Sequence, residues 1–278
     1  DAPIRMIPDP AAATRPVLDF QQQTAGIVHG GDYWYFFGFD VTNSADGQKG
    51  FQVSGNYNVL DQINAYYNGN TGIQISRYSG SDLFADWPAY NLILNCTSYC
   101  NYDKGFEDAD GFAAKLTIGE GNVFDGCVAY NNADDGWDLY AKVETGPIGS
   151  VTIRNCVAYS NGFVPGVEGT GNGNGFKMGG ESLTGKHVLE NCYAFWNLHK
   201  GIDSNSCPDI IVKNCVSYNN GSYNVAFYTN NAANTDFSAQ GIVSFRDSTS
   251  PYDYTGADNL KGKGTQEDGK YLGNTNYY

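Results

Sequence analysis

The chain has 278 residues, 41% of them hydrophobic, enough to bury a substantial core in one elongated domain spanning residues 1–278 rather than two. A formal charge of −14 argues against nucleic acid, whose phosphates need a basic surface, and it repels acidic polymers unless a bound cation and local lysines bring them in. No apolar run reaches about 18 residues and no basic-plus-apolar leader opens the sequence, so it reads as neither membrane-spanning nor signal-bearing, and a mature, secreted, monomeric form is expected.

In chain order, residues 1–32 read as an irregular segment and a first coil, with Pro3, Pro8 and Pro10 leaving no amphipathic helix over 1–15. Residues 33–245 then repeat. One slot holds Val41, Ile63, Cys96, Cys127, Cys156, Cys192 and Cys215, and each copy goes on to a glycine followed by an apolar residue: Gly50-Phe51, Gly72-Ile73, Gly111-Phe112, Gly136-Trp137, Gly175-Phe176 and Gly201-Ile202, with Asn224-Val225 last. The slot-to-glycine distance is 9 residues in five of the seven copies, but 15 before Gly111 and 19 before Gly175. Those two insertions flank an acidic run. Alternation every second residue, as in Val151-Thr152-Ile153, is strand periodicity, and short strands in copies of 22 to 39 residues fit an all-β solenoid, a parallel β-helix of about eight coils. Residues 246–278 are expected as a tail packing on it.

Five of the seven cysteines share one slot, which predicts a buried stack of small polarizable side chains rather than disulfides, while the state of Cys100 and Cys207 stays open. No cysteine and histidine pairs have zinc spacing. The asparagines before the cysteines, Asn95, Asn155, Asn191 and Asn214, are predicted to form a hydrogen-bonded ladder at a bend.

Parallel strands of adjacent coils lie ~4.8 Å apart, so residues equal in slot become neighbours. Aligned on the glycine, the preceding position runs Thr71, Asp110, Asp135, Asn174, Lys200, and the position two after runs Gln74, Ala113, Asp138, Lys177, Asp203. Phe112, Trp137 and Phe176 lie between and should point inward, turning the second column outward. Asp110, Asp134, Asp135 and Asp138 then crowd together, and an all-oxygen, multiply anionic site suits a hard cation, Ca²⁺ more readily than Mg²⁺. The bland alternative is a solvated acidic surface. Lys177 stacks over Asp138 and under Asp203; it is either one rung of a salt-bridge ladder or an amine whose pKa a neighbouring cation lowers, giving a competent base toward alkaline pH. Arg77, Lys115 and Lys142 fall four to six residues after their glycines and either line a groove for an anionic polymer or only balance local charge.

The stretches DADGFAAK at 108–115, NNADDGWDLYAKVETGPIG at 131–149 and GNGFKMGG at 173–180 resemble the pectate lyases of polysaccharide lyase family 9, with a looser repeat resemblance over about 16–245. The resemblance implies a right-handed parallel β-helix that cleaves polygalacturonate, an acidic plant cell-wall polysaccharide, by calcium-dependent β-elimination. It carries calcium ligation to Asp110, Asp134, Asp135 and Asp138 and the catalytic base to Lys177. Family members open with further strands and a capping helix, which residues 1–15 do not show. Three rivals stay open: a β-helical polygalacturonase using paired carboxylates, although its Gly-His-Gly and Arg-Ile-Lys segments are missing; a rhamnogalacturonan lyase; and a noncatalytic sugar-binding β-helix with a structural calcium.

Overall fold

The computed structural model describes residues 3–78, 80–81, 83–228 and 236–252. Almost all regular structure in them is short parallel strand, arranged in three sheets of nine, nine and eight strands, and every sheet takes each third strand of the chain in order. One coil is therefore three strands, for example Asn122–Asp125, Val128–Tyr130 and Trp137–Asp138. Among the described residues eight coils are complete and a ninth contributes Ser238–Gln240 and Val243–Phe245, in keeping with the repeat. The first coil starts at Ile4 and includes Val17–Asp19 and Ile27–His29, so little of residues 3–32 lies outside the solenoid. Of the expected tail, residues 253–278 lie outside the described residues. No helix among the described residues is long and apolar enough to cross a membrane.

The bend between the first two strands of a coil explains the Asn-Cys pairs. Asn95, Asn155, Asn191 and Asn214 all have φ between 51° and 55°, with Gly126 at 68°, and asparagine and glycine are the residues that adopt this left-handed conformation at least cost. The cysteine that follows turns into the core, and Cys96, Cys127, Cys156, Cys192 and Cys215 are all free and buried, as are Cys100 and Cys207.

The asparagine ladder is real but belongs mainly to a different bend. Asn68, Asn101, Asn132, Asn161, Asn197 and Asn220 form an unbroken buried series, each donating its side-chain amide to the Oδ1 of the next at 2.8–3.0 Å. The asparagines before the cysteines make only scattered contacts, such as Asn155 to Asp125 at 2.8 Å and Asn191 to Asn155 at 3.5 Å. Burial decides the matter: the inner bend turns backbone amides away from water, and a carboxamide with both donor and acceptor satisfies them from coil to coil.

Inside, Phe112, Trp137 and Phe176 are fully buried and stack at 4.7 and 4.9 Å between ring centroids. The glycine before each is required by the next coil. A Cβ on Gly136 would lie 2.5 Å from the Gly175 carbonyl oxygen, and one on Gly175 would lie 2.5 Å from that of Gly201. Pressing backbone against backbone here brings the outward column of the third sheet into register.

Candidate active site

The third sheet aligns Ala113, Asp138, Lys177 and Asp203 on successive strands, the register expected from the glycine alignment. Asp110 and Asp135 stand one coil apart just before this sheet, where the Asp135 amide donates to Asp110 Oδ1 at 3.3 Å. Asp135 Oδ1 accepts both the backbone and side-chain N–H of Asn174 at 2.8 Å, and Thr71 Oγ1 donates to Asp110 Oδ2 at 3.1 Å.

Outward does not mean exposed. Asp110, Asp134 and Asp135 are 0% exposed and Asp138 3%. The two insertions account for this: Cys100, Ala109, Ala133 and Val164 form a small second core, against which Phe106 and Val167 pack, so the loops before Gly111 and Gly175 close over one end of the cluster. The longer loop also binds its neighbour directly, with Asn172 N donating to Asp134 Oδ1 at 2.9 Å.

Two lysines enter the cluster. Lys177 Nζ lies 3.1 Å from Asp135 Oδ2 and 3.5 Å from Asp138 Oδ1, with the Tyr140 ring centred 5.7 Å away. Lys115 Nζ bridges Asp110 Oδ2 at 2.8 Å and Asp138 Oδ2 at 2.9 Å. Lys115 is thus a nearly buried member of the acidic centre and not an exposed cation on its flank. It leaves its strand at the second residue after Ala113, on the same side, and a long side chain folds back across that alanine. Lys142 does border the opening. Arg77 does not line it and donates its guanidinium to the Ser81 carbonyl.

The opening is a cleft of about 340 Å³ bordered by Glu107, Asp108, Lys115, Asp138, Tyr140, Lys142 and Lys177. A larger cleft of about 570 Å³, between Phe84, Trp87, Pro147 and Lys186, holds no comparable group of charges. Tyr140, which sequence reasoning passed over, is anchored by donating its hydroxyl to Glu181 at 2.7 Å, and Glu181 also accepts the Val143 amide at 2.6 Å.

Charge balance in so dry a place is tight. Burial pushes Asp110 up to about 7 against the pull of Lys115, and pushes Asp134 up to about 10 with help from Asp135 and Asp110. Asp135 is also raised by burial, with Lys177 opposing. Burial would raise Asp138 too, but Lys115 and Lys177 together outweigh it and hold that carboxyl low. For both lysines burial acts downward and the aspartates override it, keeping each ammonium above its ordinary range. For Lys177 this is opposite to the downward shift expected beside a cation, because its neighbours are carboxylates.

The donor set fits a divalent cation. One oxygen each from Asp110, Asp135 and Asp138 lies within 4.8 Å of the others, all three residues are buried, and Asp134 Oδ2 is buried beside them without a hydrogen-bond partner. Hard oxygen donors of this kind, without histidine or cysteine, suit calcium or magnesium. Asp134 does not belong to the group of three as it stands.

A family model described as the Pel9A-like right-handed beta helix region matches residues 1–236. Pectate lyase L of Thermoclostridium stercorarium is 46% identical over 241 residues, covering 86% of this chain and 19% of that much longer protein. The crystal structure of pectate lyase Pel9A superposes with a TM-score of 0.66 at 31% identity, covering 87% of this chain and 62% of that one. A rhamnogalacturonan lyase superposes with a TM-score of 0.65 at 25% identity, covering 93% and 69%. The chain therefore spans about a fifth of that curated relative and three-fifths of the Pel9A structure. Matched over most of its length in sequence and in three-sheet architecture, this right-handed parallel β-helix belongs to the Pel9A-like family.

Proposed function

We propose that the chain is the catalytic β-helix of a calcium-dependent polysaccharide lyase that acts outside the cell on polygalacturonate and cuts it by β-elimination, leaving 4,5-unsaturated oligogalacturonides. One observation carries this reading: an amine, Lys177, stands 3.1 and 3.5 Å from two members of a buried three-carboxylate group at the mouth of an open cleft. Paired carboxylates acting as acid and base would not need that amine.

In this reading Asp110, Asp135 and Asp138 would hold the ion, and Asp134, whose buried Oδ2 has no hydrogen-bond partner, would supply the fourth carboxylate. Calcium held there would supply positive charge to neutralise the sugar carboxylate and make the neighbouring C5 hydrogen more acidic. Lys177, once its carboxylate partners are engaged elsewhere, gives up its proton to solvent at alkaline pH and takes the C5 proton. The C5–H electron pair becomes the C4–C5 double bond as the C4 oxygen leaves with its bonding pair and is protonated from solvent. Lys115 keeps an ammonium beside Asp110 and Asp138 and offsets negative charge building on the sugar carboxylate. Lys142 borders the cleft and offers a cation to an acidic chain.

A second reading, a lyase for rhamnogalacturonan, is favoured by the superposition on a rhamnogalacturonan lyase. An assay on the two polymers at alkaline pH with calcium, reading the ultraviolet absorbance of the unsaturated product, separates them. Absorbance growing on polygalacturonate alone supports the first reading, and growth on rhamnogalacturonan alone replaces it with the second.

A further inference from the structure

Beside the cleft, the sheet's backbone bonds define a longer line of side chains. Gly50 N to Thr71 O (3.1 Å), Gly72 N to Asp110 O (3.0 Å), Gly111 N to Asp135 O (2.9 Å), Gly136 N to Asn174 O (2.8 Å) and Gly175 N to Lys200 O (2.8 Å) join six successive coils. They give Lys49, Thr71, Asp110, Asp135, Asn174 and Lys200 one equivalent position. The same bonding continues with Gly26 N to Lys49 O (3.1 Å) and Gly201 N to Tyr223 O (2.9 Å), so the column runs on to Ala25 and Tyr223, and its two lysines each stand two coils, about 10 Å, from the nearer aspartate.

The two lysines differ in what they already hold. Lys200 Nζ is 2.7 Å from Asp203 Oδ2 and 5.3 Å from the centre of the Tyr228 ring. Lys49 is half-buried, and its amine makes no hydrogen bond or ion pair among the described residues. Its position in the column that carries Thr71 and Asp110 sets its side chain on the cluster's side of the coil, where burial and then Lys115 lower its pKa while Asp108 and Asp110 oppose. A half-buried lysine with an unshared ammonium two coils from an acidic site has charge to offer an incoming anion.

We propose that the Lys49 ammonium binds the carboxylate of an acidic sugar unit beyond the one that reacts, so that the polymer lies along the solenoid axis from the three-aspartate group toward the first coils. This rests on the polygalacturonate reading above. Taking a carboxylate costs Lys49 no existing bond, whereas Lys200 would have to release Asp203. A fixed cation at this end also counters the repulsion that a chain of net charge −14 exerts on a polyanion.

The test is Lys49→Met, compared with Lys49→Arg and with Lys213→Met as a charge control on the first sheet. Steady-state rates on polygalacturonate and on oligogalacturonides of graded length should show KM raised about tenfold by Lys49→Met, as for a lost hydrogen bond to a charged group. The penalty should vanish for oligomers too short to reach two coils from the cluster, and Lys49→Arg should restore most of the loss. An unchanged KM on long polymer, or an equal penalty at every length, overturns the proposal. Should the wild-type protein release no unsaturated product, the lyase reading fails by itself. Retardation in gels containing polygalacturonate then decides the subsite: loss of retardation in Lys49→Met but not Lys213→Met supports it, and equal retardation of all forms overturns it.

Discussion

Lys177 stands directly opposite Asp138 in the parallel register of the third sheet, with its amine 3.5 Å from Asp138 Oδ1. Two residues 39 positions apart in sequence meet because each follows a glycine and an inward aromatic by the same count. The candidate chemistry depends on that coincidence of register.

If Lys177 is the base, Lys177→Ala should lower kcat on polygalacturonate by about 10²- to 10⁴-fold, the usual contribution of a positioned general base. Calcium binding, followed by calorimetry, should persist, since the carboxylates remain. A variant with wild-type kcat would remove Lys177 from the mechanism.

Lys115 neutralises two buried carboxylates, so Lys115→Met should destabilise the protein in chelator by about 3–5 kcal/mol, the cost of breaking a buried pair. Added calcium should raise the melting temperature of the variant more than that of the wild type, because the ion replaces the missing charge. Equal gains in both proteins would show that the ion binds away from Asp110 and Asp138.

The raised carboxyls predict a pH dependence in chelator. Asp110 goes from an ordinary 3.8 to about 7 on folding, so between those values the folded state binds more protons than the unfolded one, and stability falls as pH rises through this window. Asp134, raised to about 10, continues the decline into the alkaline range. Asp138, held low, acts oppositely and withdraws support only as pH drops below its ordinary range. Melting temperatures in chelator should therefore fall from pH 5 to pH 8, and Asp110→Asn should flatten the lower part of the slope. A rising curve would contradict the buried environment of Asp110.

Asn132 donates to the Ser98 carbonyl and to Asn161, and accepts from Asn101, all within the core. Asn132→Ala should cost about 2–4 kcal/mol, because it leaves buried partners unsatisfied on both adjacent coils. Denaturant unfolding measures this. A change below about 0.5 kcal/mol, typical of a surface site, would show the ladder to be dispensable.

The architecture was legible because one constraint repeats: a glycine that must touch the next coil, then an inward apolar residue. That spacing placed Asp110, Asp135, Asp138 and Lys177 together without any contact information. It could not place Lys115, since the glycine column fixes where a strand runs and not how a flexible four-carbon stem folds back over Ala113. Nor does it tell outward from exposed, which depends on loops 101–110 and 163–174 packing on each other through Ala109, Ala133 and Val164. The inner asparagine ladder did leave a signal, an asparagine five residues after the slot at Asn68, Asn101, Asn132, Asn161, Asn197 and Asn220. The more conspicuous Asn-Cys pairs mark a separate bend, where the asparagine serves the left-handed turn rather than a buried ladder.

The most direct test is the mass of the oligosaccharides released from a defined oligogalacturonide, with calcium and again with excess chelator. Elimination at the Asp110, Asp135, Asp138 and Lys177 centre predicts fragments whose masses sum to that of the parent, formed only when calcium is present. Fragments heavier by one water per cut, or cleavage that persists in chelator, would contradict it.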